Sequence, residues 1–79
     1  FPNPFNPSTN INYHLDMDGK IDLSIYSING QHITTLFNGM QTIGNHEILW
    51  DASDCATGIY LLNLKANNQI YNKKLMLIK

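Results

Sequence analysis

The stretch Gly58–Lys79, GIYLLNLKANNQIYNKKLMLIK, decides how the rest of the chain is read. It predicts one long β-hairpin running to the end of the sequence. Ile59, Tyr60, Leu61, Leu62 and Leu64 are apolar residues that suit a pleated, half-buried surface. A period of two places Tyr60, Leu62 and Leu64 on one face and Ile59, Leu61, Asn63 and Lys65 on the other. Asn67-Asn68 signals the turn, because Asn tolerates positive φ. Ile70 to Ile78 is the expected return strand, its apolar run interrupted by Asn72, Lys73 and Lys74. A two-stranded ribbon alone is marginal in water, so the upstream residues are expected to cover it.

Residues 1–9, FPNPFNPST, hold all three prolines. Pro cannot donate to a sheet ladder, so this segment reads as an extended lead-in rather than a central strand. Phe1 and Phe5 are expected to pin it to the edge of the fold. Asn10 to Leu15 is the first predicted strand, with Ile11, Tyr13 and Leu15 on one face. Asp16-Met17-Asp18-Gly19 makes a turn. Lys20 to Ile28 follows, Ile21, Leu23 and Ile25 alternating with Asp22, Ser24 and Tyr26, which predicts one buried side and one partly wet side. Asn29-Gly30 is the strongest short hairpin signal in the chain.

Gln31 to Phe37 is a third strand, and Asn38-Gly39 is expected to turn the chain again. Met40 to Ile43 then reads as a short edge strand or an irregular piece. Gly44-Asn45 leads into His46 to Trp50, with His46, Ile48 and Trp50 on one face. Trp50 is the only Trp, and so large a ring belongs in the core of a small domain. Asp51 to Thr57 is a polar connection. No window sustains apolar i, i+3, i+4 spacing, so no helix is predicted. The reading is an all-β, antiparallel immunoglobulin-like sandwich of about seven strands, with residues 1–79 forming a single domain. The strands are too few for a propeller, and no repeat of solenoid length is present.

Composition narrows the function. The chain has 79 residues, 43% of them apolar, which suits one domain with a modest core. A net charge of −1 and the absence of arginine argue against binding nucleic acid through bulk charge. The charges are uneven. Residues 1–54 hold six acids and Lys20, a balance of −5, whereas residues 55–79 hold four lysines and no acid, a balance of +4. Complementarity between neighbouring strands explains this, and so does a basic terminal strand read by an acidic receptor. Cys55 is alone, so no internal disulfide forms. No apolar run is long enough to span a membrane as a helix. Without an initiator methionine or signal peptide, the chain is expected to be part of a longer protein, with Lys79 as its C-terminus.

No catalytic, cofactor or metal constellation emerges. Asp16, Asp18 and Gly19 begin a calcium-loop pattern, but the later ligands are missing and a hairpin turn accounts for them. Asp51, Ser53 and Asp54 are ordinary turn formers. His14, His32 and His46 fall on three different strands with no nearby His/Cys pair, which favours surface or partly buried histidines over a zinc site. Asp54 and Ala56 offer Cys55 no positive charge to activate its thiol, so it reads as a small buried apolar residue rather than a nucleophile. Tyr13, Tyr26, Tyr60 and Tyr71 would form a sugar platform only if coplanar, and β-propensity explains them more simply.

Taken together, the lead-in FPNPFNPST, Ile21-x-Leu23-x-Ile25-Tyr26, Gly30, Trp50-Asp51-x-Ser53, Gly58-Ile59-Tyr60-x-x-x-Leu64 and the closing Lys73-Lys74…Lys79 resemble the type A C-terminal sorting domain of the type IX secretion system. The resemblance spans essentially the whole chain. The pattern is also similar to the immunoglobulin-like domain of flagellar hook-capping proteins, which implies instead a structural spacer or assembly module. The sorting resemblance implies a non-catalytic signal, covalently linked to an N-terminal cargo and read by the outer-membrane translocon. It implies passage through the periplasm, then release or attachment at the cell surface, with a sortase commonly removing the domain upstream of Phe1. The matching positions are Gly58, Tyr60, Lys73, Lys74 and Lys79. Cys55 stands where the family usually has an aliphatic residue, and Gln69 to Asn72 lacks the Thr often found before the lysine pair.

The terminal strand is the expected recognition element, since a strand on a sheet edge leaves backbone groups free for a receptor. Lysines that only block aggregation at an edge would look the same in sequence. Cys55 generates a separate expectation. Cys55→Ala and Cys55→Val should fold and export attached cargo at the parent level. Lost export at unchanged stability would reveal a thiol function.

Overall fold

Six strands organise residues 8–78, the part of the chain that the computed structural model describes. They are β1 (Ser8–Leu15), β2 (Gly19–Ser27), β3 (His32–Gln41), β4 (Gly44–Asp51), β5 (Gly58–Ala66) and β6 (Gln69–Leu77). All pairing is antiparallel. β1 and β4 form a two-stranded sheet, and the other four form a sheet of order β3-β2-β5-β6. The two sheets bury a common core, giving the predicted sandwich with no helix among the described residues. Residues 1–7, including Phe1 and Phe5, and Lys79 lie outside the described residues. Ser8 and Thr9, expected in the lead-in, pair with Asp51 and Trp50 as the first residues of β1.

The terminal hairpin forms as its sequence dictates. Ala66 and Gln69 are paired, and Asn67 and Asn68 between them have φ of 54° and 65°. Two successive left-handed residues make a type I′ turn, whose twist matches that of the flanking strands. The Asn29-Gly30 hairpin closes differently. The Gly30 N–H donates to the Ser27 carbonyl at 2.9 Å and the Ser27 N–H to the Gln31 carbonyl at 2.8 Å. Gly30, with φ of 89°, supplies the left-handed residue that follows the turn.

The turn expected at Asn38-Gly39 is absent. β3 runs through both residues, pairing Asn38 with Asp22 and Gly39 with Ile21. The ladder to β2 outweighs the local turn preference. Asn38 Nδ2 also donates to Asp22 Oδ2 across the strands at 3.0 Å. Met40 and Gln41 therefore finish β3 instead of making an edge strand of their own, and the chain reverses at Thr42-Ile43. The described strands number six, against the expected seven or so.

β3 also breaks simple alternation. Its register against β2 shifts between Leu23 and Ser24 and again between Ile25 and Tyr26. The skipped residues on β3 are Leu36 and Ile33. A bulge lets neighbouring residues turn toward one side, and Leu36 and Phe37 both pack against the core.

Three connections cross between the sheets: Asp16–Asp18, Thr42–Ile43 and Ala52–Thr57. The first two are tied together, with Asp18 Oδ1 accepting the Ile43 N–H at 2.6 Å. The core between the sheets contains Leu23 and Ile25, both 0% exposed, with Ile11, Leu15, Ile21, Leu62, Leu64 and Trp50. Trp50 from the small sheet meets Tyr60 from the large one edge-to-face, with ring centroids 5.5 Å apart. Trp50→Ala removes this link, and large aromatic truncations in a core cost about 3–5 kcal/mol. A domain of this size has ~5–10 kcal/mol in total, so urea denaturation should find the variant at the edge of unfolding. A loss below about 1 kcal/mol would show that Trp50 is not a core anchor.

Candidate recognition surface

The residues singled out for recognition sit on the terminal hairpin, and the structure gives them different surroundings. Gly58 opens β5 opposite Leu77. A Cβ built on it meets no atom within 4 Å, so neither space nor backbone conformation requires glycine there. Tyr60 is 8% exposed and lies in the core. Its hydroxyl donates to the Ala56 carbonyl at 2.6 Å. That bond holds the β4–β5 connection against the start of β5, in the manner of the tyrosine corner of immunoglobulin-type sandwiches.

Lys73 and Lys74 are exposed on β6. As neighbours on one strand they take opposite faces, and the register says which. Lys73 is opposite Leu62, a core residue, and Lys74 is opposite Leu61. Directly opposed residues share a face. Lys73 therefore lies on the core-side face, beyond the area that the small sheet covers, while Lys74 lies on the outer face. Lys79 lies outside the described residues. Among the described residues β6 pairs with β5 alone, and its other edge carries no strand.

Charge complementarity between neighbours is present at one register pair, Asp22 with Lys65. It does not extend to β6, whose lysines face leucines. The outer faces of β5 and β6 are joined instead by Asn63, whose Nδ2 donates to Asn72 Oδ1 at 2.7 Å.

Sequence reasoning missed the apolar exposure on the same strand. Ile70, Tyr71 and Met76 are exposed, as is Ile78 just beyond it. The apolar run predicted a strand, and nothing local to it says that no second layer covers the strand.

The other candidate groups are dispersed. His14 Nδ1 lies 2.7 Å from Asn45 Oδ1, and its Nε2 is 3.3 Å from Asp16. His32 bonds Thr35 at 3.0 Å, and His46 bonds the Thr42 carbonyl at 2.6 Å. Asp18 and Asp51 accept backbone N–H groups from Ile43 and Ser53. Among the described residues no group of three or more His, Cys, Asp or Glu side chains converges as a metal site. Tyr13 stacks on His46 and Tyr26 meets His32 edge-on, on different sheets, while Tyr60 is buried, so the tyrosines share no platform. Cys55 is half-buried and packs against the core, in apolar contact but less enclosed than expected. No helix among the described residues is long and apolar enough to cross a membrane.

A family described as the secretion system C-terminal sorting domain matches residues 1–79. No curated protein and no solved structure matches the chain.

The contrast between Tyr60 and Gly58 is testable. Tyr60→Phe keeps the ring and loses one hydrogen bond, worth about 1 kcal/mol, and the β4–β5 connection should exchange its amide hydrogens faster. Gly58→Ala meets open space and should change stability by under about 0.5 kcal/mol. Comparable losses from the two variants in thermal unfolding would contradict these placements.

Proposed function

The chain belongs to the type IX secretion system C-terminal sorting domain family, and on that premise we propose that it acts as a folded, non-catalytic export signal. Membership implies a partner in the secretion system, a linked cargo, and export of that cargo to the cell surface or the medium. We further propose that the outer-membrane translocon reads the domain after its passage into the periplasm. A sortase then removes it or joins the cargo to the surface.

The observation that carries this reading is the family match over all 79 residues. The geometry supports the terminal hairpin as the recognition element. β6 is an edge strand with exposed lysines. In this reading Lys73, Lys74 and Lys79 meet the receptor. Gly58 and Tyr60 mark the start of the hairpin, and Tyr60 holds that start in place from within the core.

The test is a fusion of residues 1–79 to a periplasm-directed reporter in a host with type IX machinery. The intact fusion should reach the surface or the medium. Lys73→Gln, Lys74→Gln and Lys79→Gln together should trap it in the periplasm. Removing exposed charges usually changes stability by under ~0.5 kcal/mol, so a trapped fusion that is still folded reports on recognition. Full export of the triple variant would leave the lysines as guards against aggregation. An intact fusion that never leaves the periplasm would overturn the sorting assignment in favour of a structural immunoglobulin-like module.

A further inference from the structure

Gln69 to Lys74, the first six residues of β6, are exposed without interruption, whereas β5 beside it alternates between covered and open positions. Exposure at successive residues of a strand means that both of its faces are open. Among the described residues, one strand thus presents three things together: a backbone edge with no partner strand, apolar side chains and two lysines. Ile70 is 61% exposed, Tyr71 50% and Met76 71%. Lysines on an edge discourage pairing, but exposed apolar side chains encourage it. An edge built only for protection has no need of the exposed apolar residues.

The register shows what an incoming strand would meet. Lys74 shares the outer face with Ile70 and Met76, and Lys73 shares the core-side face with Tyr71 and Leu75. Reading along β6, Ile70 and Tyr71 on one side and Leu75 and Met76 on the other flank a polar centre, Asn72-Lys73-Lys74, whose two charges point to opposite faces. We propose that the free edge of β6 takes an extended segment of another protein by strand addition, and that this segment carries two consecutive acidic residues flanked by apolar ones. One acid would oppose Lys73 on the core side and the next would oppose Lys74 on the outside, with main-chain hydrogen bonds supplying the rest of the interaction. The proposal rests on the sorting reading only for the partner's place in the export machinery.

A second copy of the chain does not fit. Antiparallel self-pairing of β6 about its central residue sets Lys73 opposite Lys73 of the other copy, and like charges directly opposed destabilise a ladder. The other edge strands cannot supply the acids. β1 and β3 contain none, and β4 has only Glu47 and Asp51, which are not adjacent. Residues 1–7 contain no acid either.

The test uses the full chain and fluorescent strand-length peptides of alternating Val and Thr, with a central Asp-Glu, Gln-Gln or Lys-Lys pair. Anisotropy titration should show the Asp-Glu peptide binding and the Gln-Gln peptide binding about tenfold more weakly, the scale of two cross-strand charge pairs. The Lys-Lys peptide should not bind. Hydrogen exchange should show new protection confined to the amides of β6 when the Asp-Glu peptide is bound. The double variant K73E/K74E should reverse the preference and take the Lys-Lys peptide. If that variant does not keep the Trp50 fluorescence of the folded parent, K73Q/K74Q should instead abolish the preference for Asp-Glu over Gln-Gln. Equal binding of all three peptides would overturn the proposal. So would protection outside β6, a preference unchanged by the lysine variants, or sedimentation as a β6-paired dimer. None of these readouts involves export, so failure here leaves the sorting assignment standing, and failed export leaves this result intact.

Discussion

A two-stranded sheet packed on a four-stranded one covers it incompletely, and most of what distinguishes this domain follows from that mismatch. β2 and β5 occupy the centre of the larger sheet, and their inward residues Ile21, Leu23, Ile25, Tyr60, Leu62 and Leu64 are buried. β3 and β6 are its margins. β3 compensates with bulges, which bring Leu36 and Phe37 together against the core. β6 has no bulge in its ladder with β5 and remains open along its first six residues.

The small sheet is held by connections as well as by packing. The chain passes between the layers three times. Asp18 binds two of these crossings to each other, and Tyr60 binds the third to the core through the Ala56 carbonyl. Trp50 and Tyr60 span the layers at the same end. A part-buried hydroxyl that satisfies a loop carbonyl and an aromatic pair that fills the core act together here, so one side chain both orders a connection and supports the interior.

In the proposed reading, the same mismatch is what leaves the signal readable. A fully covered sandwich would hide the terminal strand. Here the terminal strand is anchored by its partner, whose core residues are covered, while its first six side chains stay exposed and no described strand pairs with its outer edge. A recognition strand that is rigid before it binds loses less conformational entropy on binding than a disordered tail would. On the proposed reading the export signal is a folded object instead of a linear peptide, its specificity set by which edge the core leaves bare.

Much of this was determined by the sequence alone. Period-two alternation in Ile21–Ile25 and Tyr60–Leu64 identified the core faces, because a strand must turn alternate residues to one side. Asn67-Asn68 identified its own turn, because two left-handed residues suit Asn and few others. The family pattern lay in ordered short motifs and was visible without coordinates. The tertiary structure decided what depends on neighbours distant in the chain. Asn38-Gly39 has the chemistry of a turn, but the β2 ladder draws it straight. The bulges at Ile33 and Leu36 arise from matching β3 to a partner strand, and nothing local in His32–Gln41 announces them. Lys73 and Lys74 are adjacent in sequence and read together as part of a basic terminal strand. Period two sends them to opposite faces, the register of β6 against β5 decides that Lys73 takes the core side, and the width of the small sheet leaves Lys73 in solvent there. Those two quantities are properties of strand pairing and layer packing, which no single segment of the chain contains.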